Sequence, residues 1–140
     1  MAAFQKFHSF VEALSEKKHD LGADTLKVML TSVAPLPSNT VKANLTEIAD
    51  GNGYTAGGNV ATVTSSAQTS GVYKLVLADP TTWTATGGAM APFRYAVLYN
   101  DTATNDEVIG YWDYGTTVNL SDGDSFTVDF DPGTGVLTIA

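Results

Sequence analysis

Phe93-Arg94-Tyr95-Ala96-Val97-Leu98-Tyr99-Asn100-Asp101, followed by Glu107-Val108-Ile109-Gly110-Tyr111-Trp112-Asp113-Tyr114-Gly115, reads as two strands and a turn. Phe93, Tyr95, Val97 and Tyr99 alternate with Arg94, Ala96 and Leu98, the period of two that a pleated strand imposes. The four are therefore expected on one face, at the centre of a core. The polar run Asn100 to Asp106 joins the two strands, which makes an antiparallel hairpin the natural reading. Gly110, inside the second strand, predicts a bulge or a close approach to a facing ring.

Similar signals flank the hairpin. Thr25 to Thr31 alternates Leu26, Val28 and Leu30 with Lys27 and Met29, as a half-buried strand does. Asn59 to Ser65, Val72 to Ala78, Thr81 to Thr86, Thr116 to Leu120, Asp124 to Phe130 and Gly135 to Ile139 add further strands. Gly87-Gly88, Ser121-Asp122-Gly123 and Asp131-Pro132-Gly133-Thr134 supply turns. One helix is expected over 3–20, within an N-terminal segment 1–22. Phe4, Phe7, Phe10, Val11 and Leu14 recur at spacings of three and four, cations fall in the last turn, and Gly22 is placed as C-cap. Its apolar face covers either its own sheet or a neighbour. Roughly eight to ten short strands behind one helix give a mainly β chain, a jelly-roll-like antiparallel β-sandwich with one N-terminal α-helix; a closed barrel is the rival.

The chain has 140 residues and shows no internal repeat or linker, so a single domain over 1–140 is expected. Residues 32–58 form a long irregular stretch with Pro35, Pro37, Asp50-Gly51-Asn52-Gly53 and Gly57-Gly58. Such a loop is either an interaction loop or an arm packed on its own body.

Composition narrows the chemistry. There is no cysteine, which excludes disulfides and thiolate–metal sites. The net charge is −8, which repels nucleic acid and anionic membrane. After Arg94 there is no Lys or Arg, yet Asp101, Asp106, Glu107, Asp113, Asp122, Asp124, Asp129 and Asp131 follow. These carboxylates either solvate turns or form an acidic face for a basic partner. No apolar leader core follows Met1, and no run approaches a membrane span, so a cytosolic product or export by another route is expected.

Catalytic patterns fail one by one. His8 and His19, eleven residues apart on the expected helix, read as a boundary and a capping histidine, with no third ligand for zinc. Ser32, Ser38, Ser65, Ser66 and Ser70 lie in loops outside any Gly-x-Ser-x-Gly context. Gly51-Asn52-Gly53 with Gly57-Gly58 lacks the lysine and helix of a phosphate cradle. Asp122-Gly123-Asp124 and Asp129-Phe130-Asp131 depart from the twelve-residue calcium loop and read as turn residues. Trp83, Trp112 and the tyrosines form either core or a carbohydrate platform. No enzyme activity and no cofactor or metal is expected.

Three passages taken in order carry a resemblance: Thr46 to Gly58; Tyr73 to Asp79 with Trp83 to Gly88; and Pro92 to Asp101 through Ile109 to Gly115. Together they resemble the capsid cement, or decoration, proteins of tailed bacteriophages, nearest to those of short-tailed phages. The resemblance implies a jelly-roll-like virion protein on the outside of the capsid, made in the bacterial cytoplasm. It implies the major capsid protein as partner, a homodimer, and neither nucleic acid nor membrane as partner. It brings no catalytic residue. Trp83, Met90 and Phe93, with Leu36 and Tyr54 in the long loop, are the expected protein-interface residues. A tail, neck or fibre protein of the same fold and a carbohydrate-binding adhesion module are the alternatives.

Overall fold

A computed structural model describes residues 2–140. The chain runs β1 (Gln5–Lys6), α1 (Ser9–Ser15), β2 (Leu26–Thr31), β3 (Asn59–Val60), β4 (Val63–Thr69), β5 (Val72–Leu77), β6 (Trp83–Thr84), β7 (Phe93–Asn100), β8 (Val108–Val118), β9 (Ser125–Phe126) and β10 (Leu137–Ile139). It is mainly β, with antiparallel sheets and a single short helix among the described residues, as a β-sandwich requires. A five-stranded sheet has the order β1-β8-β7-β2-β3, a three-stranded sheet β10-β5-β4, and a small ladder joins β6 to β9.

The hairpin is where the sequence places it. β7 and β8 pair antiparallel, with Val97 opposite Tyr111 and Leu98 opposite Gly110. The main core lies between the sheets. Leu26, Val28 and Leu30 of β2, Ala96 and Leu98 of β7, and Ile109 and Trp112 of β8 meet Leu75 and Leu77 of β5, Leu137 of β10, Trp83 and Phe10 there. The opposite face of the large sheet is apolar too: Met29, Val97, Tyr99, Val108 and Tyr111 form a second cluster with Phe7.

The expected single face of Phe93, Tyr95, Val97 and Tyr99 is corrected by this arrangement. The register shifts between Phe93 and Tyr95. Phe93 therefore joins Ala96 and Leu98 in the main core, while Val97 and Tyr99 face the second cluster. A second register shift, between Leu98 and Tyr99, sits beside Gly110. There a Cβ would fall 2.1 Å from the Phe4 ring, so both readings of that glycine hold.

The helix is shorter than the 3–20 expected and covers Ser9–Ser15 alone. Residues ahead of it are captured by the sheet: Gln5 pairs with Tyr111, Lys6 with Gly110, and the Phe7 amide donates to Ile109 O at 3.1 Å. Phe4 and Phe7, three apart, thus sit on opposite faces of a strand rather than on one helical stripe. Phe4 stacks near Trp112 at 5.3 Å and Phe7 near Tyr111 at 5.0 Å. The helix stops at Lys17, whose φ of 65° is left-handed. The Lys18 amide reaches Ala13 O at 2.8 Å and the Lys17 amide Leu14 O at 3.3 Å, a Schellman closure five residues before the expected Gly22.

Residues 32–58 are packed on the body of the protein as a strap. A 3₁₀ turn at Lys42–Asn44 and a bridge from Val41 to Glu107 lay the strap near the second cluster, and Leu45 packs against that cluster. The strap also finishes the edge of β2 beyond the two-residue β3. Ile48 N donates to Leu30 O at 3.1 Å, and Leu30 N donates to the Tyr54 hydroxyl at 3.2 Å. Gly58 lets it come this close: its φ is +75°, and a Cβ there would lie 1.9 Å from Val28 O.

Candidate functional site

Four of the five expected interface residues are core residues in this fold. Trp83 and Phe93 are each 1 % exposed, Tyr54 2 % and Met90 3 %. Phe93 meets Phe126 edge-on at 4.9 Å, and Trp83 lies 6.4 Å from the same ring. Tyr54 reaches inward to the β2 backbone. Their side chains are occupied within the protein, which corrects their expected place at a contact surface. Leu36 is different: it is 60 % exposed.

Leu36 belongs to a built turn. Leu36 N donates to Asn39 Oδ1 at 2.8 Å and Asn39 N donates to Leu36 O at 2.9 Å. The turn is tied to the start of α1 by His8 N donating to Pro37 O at 2.9 Å and Ser9 Oγ donating to Asn39 O at 3.3 Å. At its base Val33 N donates to Thr31 Oγ1 at 3.0 Å, and that hydroxyl donates to Thr46 O at 2.5 Å. Pro35 and Pro37 fix φ on either side of Leu36. Val33 is 52 % exposed as well, while Pro35 between the two is buried.

The strap behind this turn is anchored by one carboxylate. Glu47 Oε1 accepts from the Tyr54 hydroxyl at 2.6 Å and from Gly57 N at 2.5 Å, while Oε2 pairs with Lys42 Nζ at 3.1 Å. Tyr99 adds a hydroxyl bond to Gly57 O at 2.6 Å. Burial first, then the Glu47 carboxylate for Tyr54 and the Asp101, Glu47 and Asp106 carboxylates for Tyr99, push both phenols well above the ordinary tyrosine range.

A second feature is a cleft of about 280 Å³. Phe93, Trp112 and Phe130 line its depth, and Tyr114, Phe126 and Arg94 line its mouth. Arg94 donates to Asp113 through Nε at 2.8 Å and Nη2 at 3.0 Å. This fork holds the Asp113 carboxyl below its ordinary range and raises the guanidinium. The last cation of the sequence is thus engaged by the strand opposite. Tyr114, 56 % exposed, leans edge-on against Phe126 at 5.4 Å.

The histidines are far from one another in role. His8 is exposed at the helix N-cap position. His19 lies beyond the helix and is buried against Phe10 and Asn100, so it caps nothing. Among the described residues no three His, Asp or Glu side chains gather as metal ligands, and no helix is long and apolar enough to cross a membrane. Asp122 and Asp124 act as turn residues, accepting from Gly87 N at 3.0 Å and Ser121 N at 3.0 Å.

No protein-family model, curated protein or solved structure matches the chain.

Sequence reasoning did not single out Val33, Glu47 or the Arg94–Tyr114 cleft. Glu47 carried a signal, since it lies in a segment rich in turn-forming residues and is the only acid between Asp24 and Asp50. Of the cleft only Trp112 and the tyrosines carried a signal, as core or platform, because segment 126–130 reaches β8 only through the folded chain.

Proposed function

We propose that the protein is a non-enzymatic virion structural protein, a capsid cement protein. In this reading it binds the outside of the shell formed by the major capsid protein, acts as a homodimer, and needs neither nucleic acid nor membrane. The observation that carries the reading is the exposed Leu36 on its hydrogen-bonded turn. An exposed leucine on a backbone fixed at both ends is pre-organised for a shallow apolar pocket, so little ordering entropy opposes docking. Burying one such side chain contributes about 1.5–3 kcal/mol. That is weak for one site, but repetition over a shell and dimeric attachment multiply it. The acidic second half suits a less acidic shell surface, where charge guides encounter.

The copy number of this chain in purified particles, relative to the major capsid protein, tests the reading. Near-equal copies are expected; a few, or about a dozen, favour the tail, neck or fibre alternative. Leu36→Asp is expected to fold normally and to abolish attachment, and undiminished attachment would remove Leu36 from the interface.

The exposed Tyr114 beside the Arg94–Asp113 pair favours one second reading, a carbohydrate-binding module. Selective binding on a glycan array that Tyr114→Ala abolishes would support it against the capsid role.

A further inference from the structure

His19 is 5 % exposed, and its Nδ1 lies 3.1 Å from Asn100 Nδ2. The orientation of that amide follows from its other partners. Asn100 Oδ1 accepts from Thr102 N at 2.9 Å and Ala103 N at 3.1 Å. The NH₂ group therefore faces the other way, where one proton goes to Asp24 Oδ2 at 2.6 Å and the other to His19 Nδ1. Nδ1 must accept. The neutral ring then carries its proton on Nε2, which is buried and has no partner.

We propose that His19 is a proton-operated latch on the polar 101–106 connection: neutral, it holds Asn100 in the orientation that caps Thr102 and Ala103, and protonated, it releases them. A second proton on the ring would sit on Nδ1 and point at the Asn100 NH₂, donor against donor. Rotating the Asn100 amide relieves that clash and turns Oδ1 toward the imidazolium. The same rotation places NH₂ against the Thr102 and Ala103 amides and withdraws the proton from Asp24. Asp24 Oδ2 also accepts from Asp20 N at 2.8 Å, so the 19–24 turn loses part of its tie to the connection.

The charges around the ring have been weighed by the fold. Burial is the largest influence and lowers the His19 pKa below 6.5; Lys18 acts in the same direction, while Glu107 and Asp24 oppose it. Lys17 and Asp20 from the same turn and Tyr73 from β5 line the same hollow. Because the folded value is depressed, the latch is closed at and above 6.5 and opens as pH falls through the folded value. The inference is independent of the proposed capsid role.

Nitrogen-15 NMR of the wild-type protein tests it. Long-range histidine spectra at neutral pH are expected to show His19 as the Nε2–H tautomer, titrating below 6.5. The Thr102 and Ala103 amide signals are expected to move with that same midpoint. His19→Asn, which keeps an acceptor near the Nδ1 position and cannot ionise, is expected to hold those amide signals constant over the range. An Nδ1–H tautomer, a midpoint at or above 6.5, or amides that ignore the His19 midpoint would each overturn the latch. The wild-type titration decides the matter even where His19→Asn does not fold.

Discussion

Replacing Glu47 by alanine removes three contacts at once, from Tyr54 Oη, Gly57 N and Lys42 Nζ. Their weights differ. Tyr54 is 2 % exposed, so its hydroxyl proton is left without an acceptor, a loss of about 1–3 kcal/mol. Gly57 is only partly buried and its amide can turn to water, which limits its share to about 1 kcal/mol. The Lys42 pair has side chains 25 % and 17 % exposed, and such pairs contribute no more than about 1 kcal/mol. The sum is about 3 kcal/mol, a large part of the 5–15 kcal/mol that typically holds a domain together. Urea unfolding followed by tryptophan fluorescence measures it as a lowered midpoint. A double-mutant cycle with Tyr54→Phe isolates the hydroxyl–carboxylate term, with an expected coupling of about 1–2 kcal/mol. A loss below about 0.5 kcal/mol for Glu47→Ala, or strict additivity in the cycle, would refute the view that this carboxylate anchors the strap.

Three other outcomes follow from single observations. Gly110→Ala places a Cβ 2.1 Å from Phe4 Cε2 and 2.9 Å from Gln5 O, so β1 must shift; a loss of about 1–3 kcal/mol in urea unfolding is expected, only partly relieved by adding Phe4→Ala. Lys17→Gly is expected to raise stability by about 1 kcal/mol in thermal or urea unfolding, because the left-handed φ of 65° strains a residue with a Cβ and not a glycine. In alkaline titration read by ultraviolet absorbance, Tyr54 and Tyr99 are expected to stay protonated past pH 10 while the fold persists. Their folded pKa values are raised, so the stability they add is complete below the unfolded value of about 10 and is lost as pH rises above it, in the alkaline range.

The hairpin was legible because both strands are central and alternate over many residues. Its side-chain parity was not, because the register shift between Phe93 and Tyr95, unlike the one that Gly110 announces, has no glycine or other mark in the strand where it falls. That is why Phe93 was expected beside Tyr95 and Val97 and lies instead with Ala96 and Leu98. β4 was only half visible for the opposite reason. Ser65 to Thr69 is polar and exposed along its length, so no apolar period announces it, and it is held by its ladder to β5. The N-terminal segment shows a third failure. Phe4, Phe7 and Phe10 fit a helical stripe, yet the same spacing of three also puts successive rings on opposite faces of a strand. Only pairing with β8 decides between them.

The candidate site follows from how completely the large sheet is covered. An apolar residue in the sequence does not say whether it serves a core or a surface. Here the sheet is buried on both faces, by the main core on one side and by Phe7 and Leu45 of the N-terminal segment and strap on the other, and the main core absorbs Trp83, Met90, Phe93 and Tyr54. The strap that buries one face must itself turn at an exposed corner on its way from β2. At that corner Pro35 and Pro37 offer no backbone N–H to a strand partner, and the bonds from His8 N and Ser9 Oγ fix the turn to the start of α1. Leu36 is therefore exposed because the covered face requires a crossing segment, and it is ordered because that segment is short of freedom. An exposed residue held in this way can be changed without loss of the fold, so under the proposed capsid role Leu36→Asp probes attachment apart from stability, whereas Glu47→Ala changes stability itself.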